Sequence, residues 1–593
     1  MTKRKDTKAK AFTCRGAAAL ITAALLAAVF LFTGCPQSAE NQTQNPSVQP
    51  AEQKVTLTVA KGEHVQKTEP ASLTVAKGSA WSAVKGNITV TYEAGWEAAG
   101  WKFDSAAGSD ISDATVFNEN KTVFASAKPL VDQNLEIEGG VLKSCKQKPS
   151  GVLVIPADVT EIADNVFSDC FGLTQVHFPE GLKKIGKKAF MQCSGLSQLS
   201  LPKSLETLDD EAFRECTGME GRIVLPENLK TIGWAAFYKC EKVGDFDFSG
   251  CTKLTEIKAV AFASCTGLEQ LILHESLETL GEAAFSKCTG IKGTIILPKN
   301  LKIIGENAFN KCDQVDAFDV SHCTLLTKID RTAFRECDNI RTFDFSQCTA
   351  LTTIGKEAFA NCKKIQRVIL PVNLTTIKAM TFFGCTALTD LTVVSGSAKL
   401  YAAGNVIYSG DKKQLLCSAP TVKEVRLPPE LIEISENAFY SNSELETVNF
   451  SDCNQLASIG KLAFNDCKSL SGMLNLPATL KTIGVAAFRG CEKLTSVDMS
   501  ACSNLQKIDT STFSQCKDLR EVIFPASRLT ICTQAFFDCC EVRLFDFYRC
   551  TQLILDGSNI FNYIPNGRYR VKKNSGIKEV LLTFGIEYIQ EDD

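Results

Sequence analysis

Twenty-six cysteines and four histidines are the side chains in this chain best able to hold a metal, attack a carbonyl or cross-link the backbone. Spacing decides among those chemistries. Fourteen of the cysteines, from Cys170 to Cys539, stand three residues after the phenylalanine that recurs once in each repeated unit, so each takes the same place and points the same way. A column of that kind runs along an axis and does not converge on a tetrahedron, and no C-x-x-C pair occurs, so no metal site is expected. Its side chains would leave the backbone in parallel, which suits the disulfide dihedral poorly, whereas a thiol packs well as a small apolar group. The expectation is a buried, reduced ladder. His64, His177, His274 and His322 lie in no H-E-x-x-H, and no G-x-S-x-G or phosphate loop accompanies them. With no catalytic residue, metal or cofactor motif in sight, the chain reads as a non-enzyme.

The elements that place the cysteines follow from the same periodicity. Phenylalanine recurs at 167, 190, 213, 237, 262, 285, 309, 334, 359, 382, 439, 464, 488, 513 and 536, spaced 23 to 25 residues apart except across one gap. Around it the unit reads approximately I-G-x-x-A-F-x-x-C-x-x-L-x-x-V-x-L-P-x-x-L-x-x-I. The alternating L-x-L segment predicts a short strand, with Leu199 and Leu201 inward and Gln198 and Ser200 outward, ended by Pro202. The Ala-Phe-x-x-Cys segment is expected to be a short helical turn whose ring plugs the coil. A unit of this size buries its apolar side only against its neighbours, so the coils must stack, with their L-x-L strands paired in parallel as one long sheet. In five coils a Ser-x-Cys turn replaces the proline, and in a sixth Tyr548-Arg549-Cys550 does, preceded each time by Asp or Asn: Asp247, Asp319, Asp344, Asn449, Asp498 and Asp546.

Flanking features complete the organisation. Residues 1–34 have a basic start and an apolar stretch ending in Phe32-Thr33-Gly34-Cys35, the form of a lipoprotein signal in which Cys35 carries the lipid. Residues 35–54 are poor in apolar side chains and read as a disordered tether. Residues 55–130 alternate in short runs and predict a small all-β module with Trp81, Trp96 and Trp101 in its core; it resembles the β-grasp-type repeat found beside leucine-rich repeats. Residues 131–593 form the solenoid, with caps at 131–159 and 549–593. An insertion near 395–425, including Gly404 to Asp411, is expected to protrude as a hairpin. Lys and Arg number 64 against 67 Asp and Glu, which argues against nucleic acid as a partner.

The I-G-x-x-A-F-x-x-C and L-P-x-x-L units resemble the BspA-like leucine-rich-repeat family from Glu138 to the last coil. The resemblance implies an α/β leucine-rich-repeat solenoid, here of about fifteen coils. It also implies a cell-surface adhesin that binds host extracellular-matrix or plasma proteins or other bacteria. The alternative is an envelope scaffold organising other envelope components. Either would be exported and anchored to the membrane through lipid, on the outer membrane facing the exterior in the adhesin reading. The outward strand positions form the candidate binding surface, with Ile272, Ile296, Ile369, Ile523 and Arg367 as candidate contacts. The Asp and Asn of the same row have a second reading, as hydrogen-bond acceptors for the turn that follows them.

Overall fold

The computed structural model describes residues 52–129, 134–586 and 589–592. The signal segment, Cys35 and most of the tether lie outside them. Residues 54–129 build a four-stranded sheet in the order Ser72–Ala76, Lys54–Lys61, Lys121–Pro129, Trp96–Phe103. Val55, Leu57, Val59, Trp81, Val84, Phe117 and Val123 form its core. Trp101 packs partly buried against that core, while Trp96 lies outside it.

Beyond this module the chain winds into a solenoid held by two kinds of ladder. The more continuous one is made by the two-residue strand that ends at the isoleucine or leucine of the I-G position, as in Lys184–Ile185 and Thr207–Leu208. Ile185 pairs with Leu208 and Leu208 with Ile232, always in parallel and without slip. These pairs join into a sheet of twelve strands, from the hairpin Leu135–Glu138 with Val141–Cys145 to Thr376–Ile377, and then one of nine, ending at Gln552–Asp556. The expected single sheet of L-x-L strands is instead broken into pieces of two, three and six strands. Glycine bulges, described below, interrupt it.

The Ala-Phe-x-x-Cys segment forms successive turns and no helix. Two residues of each segment, four apart, hold left-handed backbone: Lys188 at φ 55° and Gln192 at 59°, Asn307 at 56° and Lys311 at 62°. A helix cannot pass through them. The amides that a helix would satisfy internally are given to the next coil, Phe190 N–H to the Ala212 carbonyl and Phe309 N–H to that of Ala333, both at 2.8 Å. Ten phenylalanines from Phe167 to Phe382 stack at 5.1–5.8 Å along the core. A second run starts at Phe439 and continues past Phe536 to Phe561, at 5.9 Å, adding a sixteenth ring to the fifteen of the repeat pattern. That last coil lacks the A-F-x-x-C signature, which hid it, and the helix Ile577–Thr583 lies beside its strand.

Each ladder cysteine has a partner the sequence does not display. In thirteen coils the thiol donates to the carbonyl of the preceding coil's phenylalanine at 3.0–3.3 Å, as Cys193 does to Phe167. The coil after the insertion has no phenylalanine coil directly before it, and there Asn442 stands at the cysteine position. Its amide donates to Val422 O at 3.0 Å while its carbonyl accepts from Glu444 and Leu445 N–H.

The insertion does not protrude. Its strands Leu400–Ala403, Val406–Ser409 and Gln414–Ser418 run antiparallel, and the third opens the parallel array of the nine-stranded sheet. Val406, Ile407 and Tyr408 are buried, so the apolar alternation that suggested an exposed hairpin fills the core between two solenoid halves. Asn405, in the hairpin turn at φ 62°, clamps it in place by accepting from Leu391 N–H and donating to Thr389 O.

Candidate functional site: the face of the L-x-L strands

On the outward row of the L-x-L strands, Ile272 ends the strand Gln270–Ile272 and Ile296 ends Gly293–Ile296 in the next coil. They are 67% and 61% exposed, unusual for isoleucine, and Leu325 from the following turn is 46% exposed. The three line one open groove of about 740 Å³, floored by Leu271 and Leu297 and rimmed by Thr294, Pro298 and His322. Glu275 and Lys299, also on the rim, pair with each other. The groove therefore offers apolar surface with a rim whose charges are largely matched.

A glycine marks this place. Gly293 sits at φ +74°, and the ladder to the next coil slips between Gly293 and Thr294. The count of residues shows the cause: ten steps separate Cys288 from Pro298, where nine separate Cys193 from Pro202. The extra residue makes a bulge, a position that glycine takes at little steric cost. The bulged strand does not pair with the coil before it, so a sheet begins there. Gly221 at φ +76° and Gly472 at +78° repeat the arrangement, each ten steps from cysteine to proline and each opening a new sheet segment. Grooves of about 560 and 530 Å³ lie at these two breaks. The sequence carried this signal in its intervals, whereas reading by apolar pattern alone passes over it.

The acidic residues of the row serve the fold. Asp247 accepts from Ser249 N–H, Asp319 from Ser321, Asp344 from Ser346, Asn449 from Ser451, Asp498 from Ser500 and Asp546 from Tyr548, at 2.8–2.9 Å in every case. Hydrogen bonds from Ser249, with help from Arg222, hold the Asp247 carboxyl below the usual carboxylate range. The other sequence candidates are not gathered with Ile272 and Ile296. Ile369 is half-buried between Asp344 and Thr392, and Arg367 is tied to Asp390 at 3.0 Å. Ile523 is half-buried between Asp498 and Asp546 in the second half. Leu325, outside the repeat row, was missed.

Among the described residues no cluster of three His, Cys, Asp or Glu could share a metal ion, and no helix is long and apolar enough to cross a membrane.

Solved structures to which this chain is similar include a leucine-rich repeat protein from Bacteroides ovatus, 21% identical over 78% of this chain and 97% of that one, with a TM-score of 0.43. A leucine-rich repeat protein from Eubacterium ventriosum is 21% identical over 50% of this chain and 83% of its own, with a TM-score of 0.41. The pneumococcal vaccine antigen PcpA is 18% identical over 78% and 98%, with a TM-score of 0.35. No curated protein matches the chain significantly. The family model for the BspA type leucine-rich repeat region matches residues 137–265, 255–389 and 413–566. Those segments cover more than half of the sequence, and the chain belongs to the BspA-type leucine-rich-repeat family.

Proposed function

We propose that the solenoid binds proteins through the face of its L-x-L strands, as a lipid-anchored adhesin on the bacterial cell surface. Its partners are host matrix or plasma proteins or the surfaces of other bacteria. The observation that carries the reading is the exposure of Ile272, Ile296 and Leu325 over one groove. Apolar side chains left in water on a rigid scaffold cost solubility and gain binding energy only when a partner covers them. Anchoring through Cys35 rests on the Thr-Gly-Cys end of the apolar leader.

The test replaces Ile272 and Ile296 together by Asp and measures binding to an immobilised panel of matrix and plasma proteins and to whole bacteria. Both side chains lie outside the core, so the melting temperature should stay within a degree or two while binding falls at least tenfold, about 1.4 kcal/mol. Retained binding would remove the groove from the function. Digestion of intact cells by external protease separates surface display, in which the solenoid is cut, from a periplasmic scaffold, in which it is spared.

A further inference from the structure

The β module and the first coil meet through three rings. The turn carrying Gly95, at φ +85°, lies flush against the strand Gly151–Val154: a Cβ there would stand 2.9 Å from one Val154 methyl and 3.0 Å from a Val152 methyl. Trp96 follows. Its indole stacks on the His64 ring at 3.6 Å and 9°, and both rings receive the edge of His177, from the solenoid strand Leu173–His177, at 6.1 Å. The indole N–H is buried and makes no hydrogen bond.

The charged groups around this cluster are unequally placed. On the module side His64 Nδ1 is 3.1 Å from the Glu93 carboxylate, and Glu63 lies 4.0 Å from Nε2. His64 thus lies between two carboxylates and the face of the Trp96 ring. His177 has neither so close. The strand Gly151–Val154 beside it brings valines, the strand Gln198–Leu199 on its other side an uncharged amide, and Glu180, Glu220 and Arg222 line the groove beyond. Burial, then the nearby His64, lower the proton affinity of His177, with Glu93 opposing them.

We propose that the His64–Trp96–His177 cluster is a pH-sensitive latch, in which protonation of His177 releases the β module from the first coil of the solenoid. The sign follows from the neutral ring being the docked form. The docked state binds fewer protons than the undocked one, so docking is at full strength above the ordinary histidine range, near pH 6.5, and weakens as pH falls below it. Release would bare the end of the groove at Gly221, since His177 lines both the latch and that groove.

The experiment uses the full chain at pH 7.5 and pH 5.0, read by small-angle X-ray scattering and by hydrogen exchange over 93–103 and 151–155, corrected for intrinsic exchange. Acidification should lengthen the wild-type molecule and lower protection in both segments at least tenfold, with protection around Phe309 unchanged. His177→Gln and His177→Phe should stay docked at both pH values, and His177→Lys should be undocked already at pH 7.5. Two fillers of different shape guard against one that fails to pack. A wild-type molecule that keeps its dimensions and protection at pH 5.0 overturns the latch, and so does acid release that persists in both neutral variants.

Discussion

The ladder thiol closes a hydrogen-bonding account that a purely apolar residue would leave open. The phenylalanine carbonyl already accepts the N–H of its own coil's cysteine, as Phe167 does from Cys170, and its second lone pair is met by the next coil's sulfur. Burial pushes Cys288 and Cys385 up to about 12. Thiols held protonated are poor nucleophiles, so the buried ladder should resist maleimide at pH 8 in the native protein and react fully once denatured without reductant. Few free thiols after denaturation would replace the ladder by oxidised staples. The same shift sets a pH dependence. The unfolded chain loses thiol protons first, so stability should hold below about pH 8.5 and fall as pH rises beyond it, checked by melting between pH 7 and pH 10. The column of cysteines was plain in the sequence because it repeats in side chains. Its acceptor was not, because that is backbone belonging to another coil.

Strands, turns and bulges differ in how they show themselves. The L-x-L strands were legible through alternation, and Asp247 and its counterparts, Asp546 with its Tyr548 excepted, through the serine two residues later. The turn segment misled, since A-F-x-x-C has apolar residues at helical spacing while its left-handed positions are filled by Lys, Gln, Asn and Glu, which announce nothing. Some are filled by residues that object to that conformation. Val260 is β-branched, half-buried and at φ 62°, where non-glycine backbone costs about 1–2 kcal/mol. The equivalent of its following left-handed neighbour is already glycine in two coils, at Gly384 and Gly490. Val260→Asn should raise the midpoint of chemical unfolding, with a gain of up to about 1 kcal/mol in unfolding free energy, after the loss of some apolar burial. A lowered midpoint would show that the valine side chain outweighs its backbone.

At the scale of the whole molecule, fifteen of the sixteen stacked rings were visible as periodicity, and so was the place where the period slips. What fills that slip was not, because a buried antiparallel meander and an exposed hairpin share one alternating pattern until the neighbouring coils are known. The outcome is two ring stacks, with no ring contact between Phe382 and Phe439 among the described residues. Energetics in such an array pass chiefly between neighbours. Phe309→Ala, in the middle of the first stack, should cost about 3–5 kcal/mol and speed hydrogen exchange in the coils around Phe285 and Phe334. Exchange in the second stack, from Phe439 onward, should stay unchanged, and a uniform loss of protection would mean that the two halves unfold as one.

The bonds that close each turn segment on the next coil also have a mechanical meaning. They point along the axis of the solenoid, as do those of its ladders, such as Gly186 N–H to Ile162 O at 2.8 Å. A load applied between the two ends would therefore fall on one inter-coil contact at a time, and not on many in shear. The chain would lengthen by peeling single coils, each releasing about 80 Å of contour for its 23 to 25 residues. Held between an anchor and a captured surface, such a molecule would yield in small steps and rewind when slack, acting as a shock absorber instead of a rigid strut.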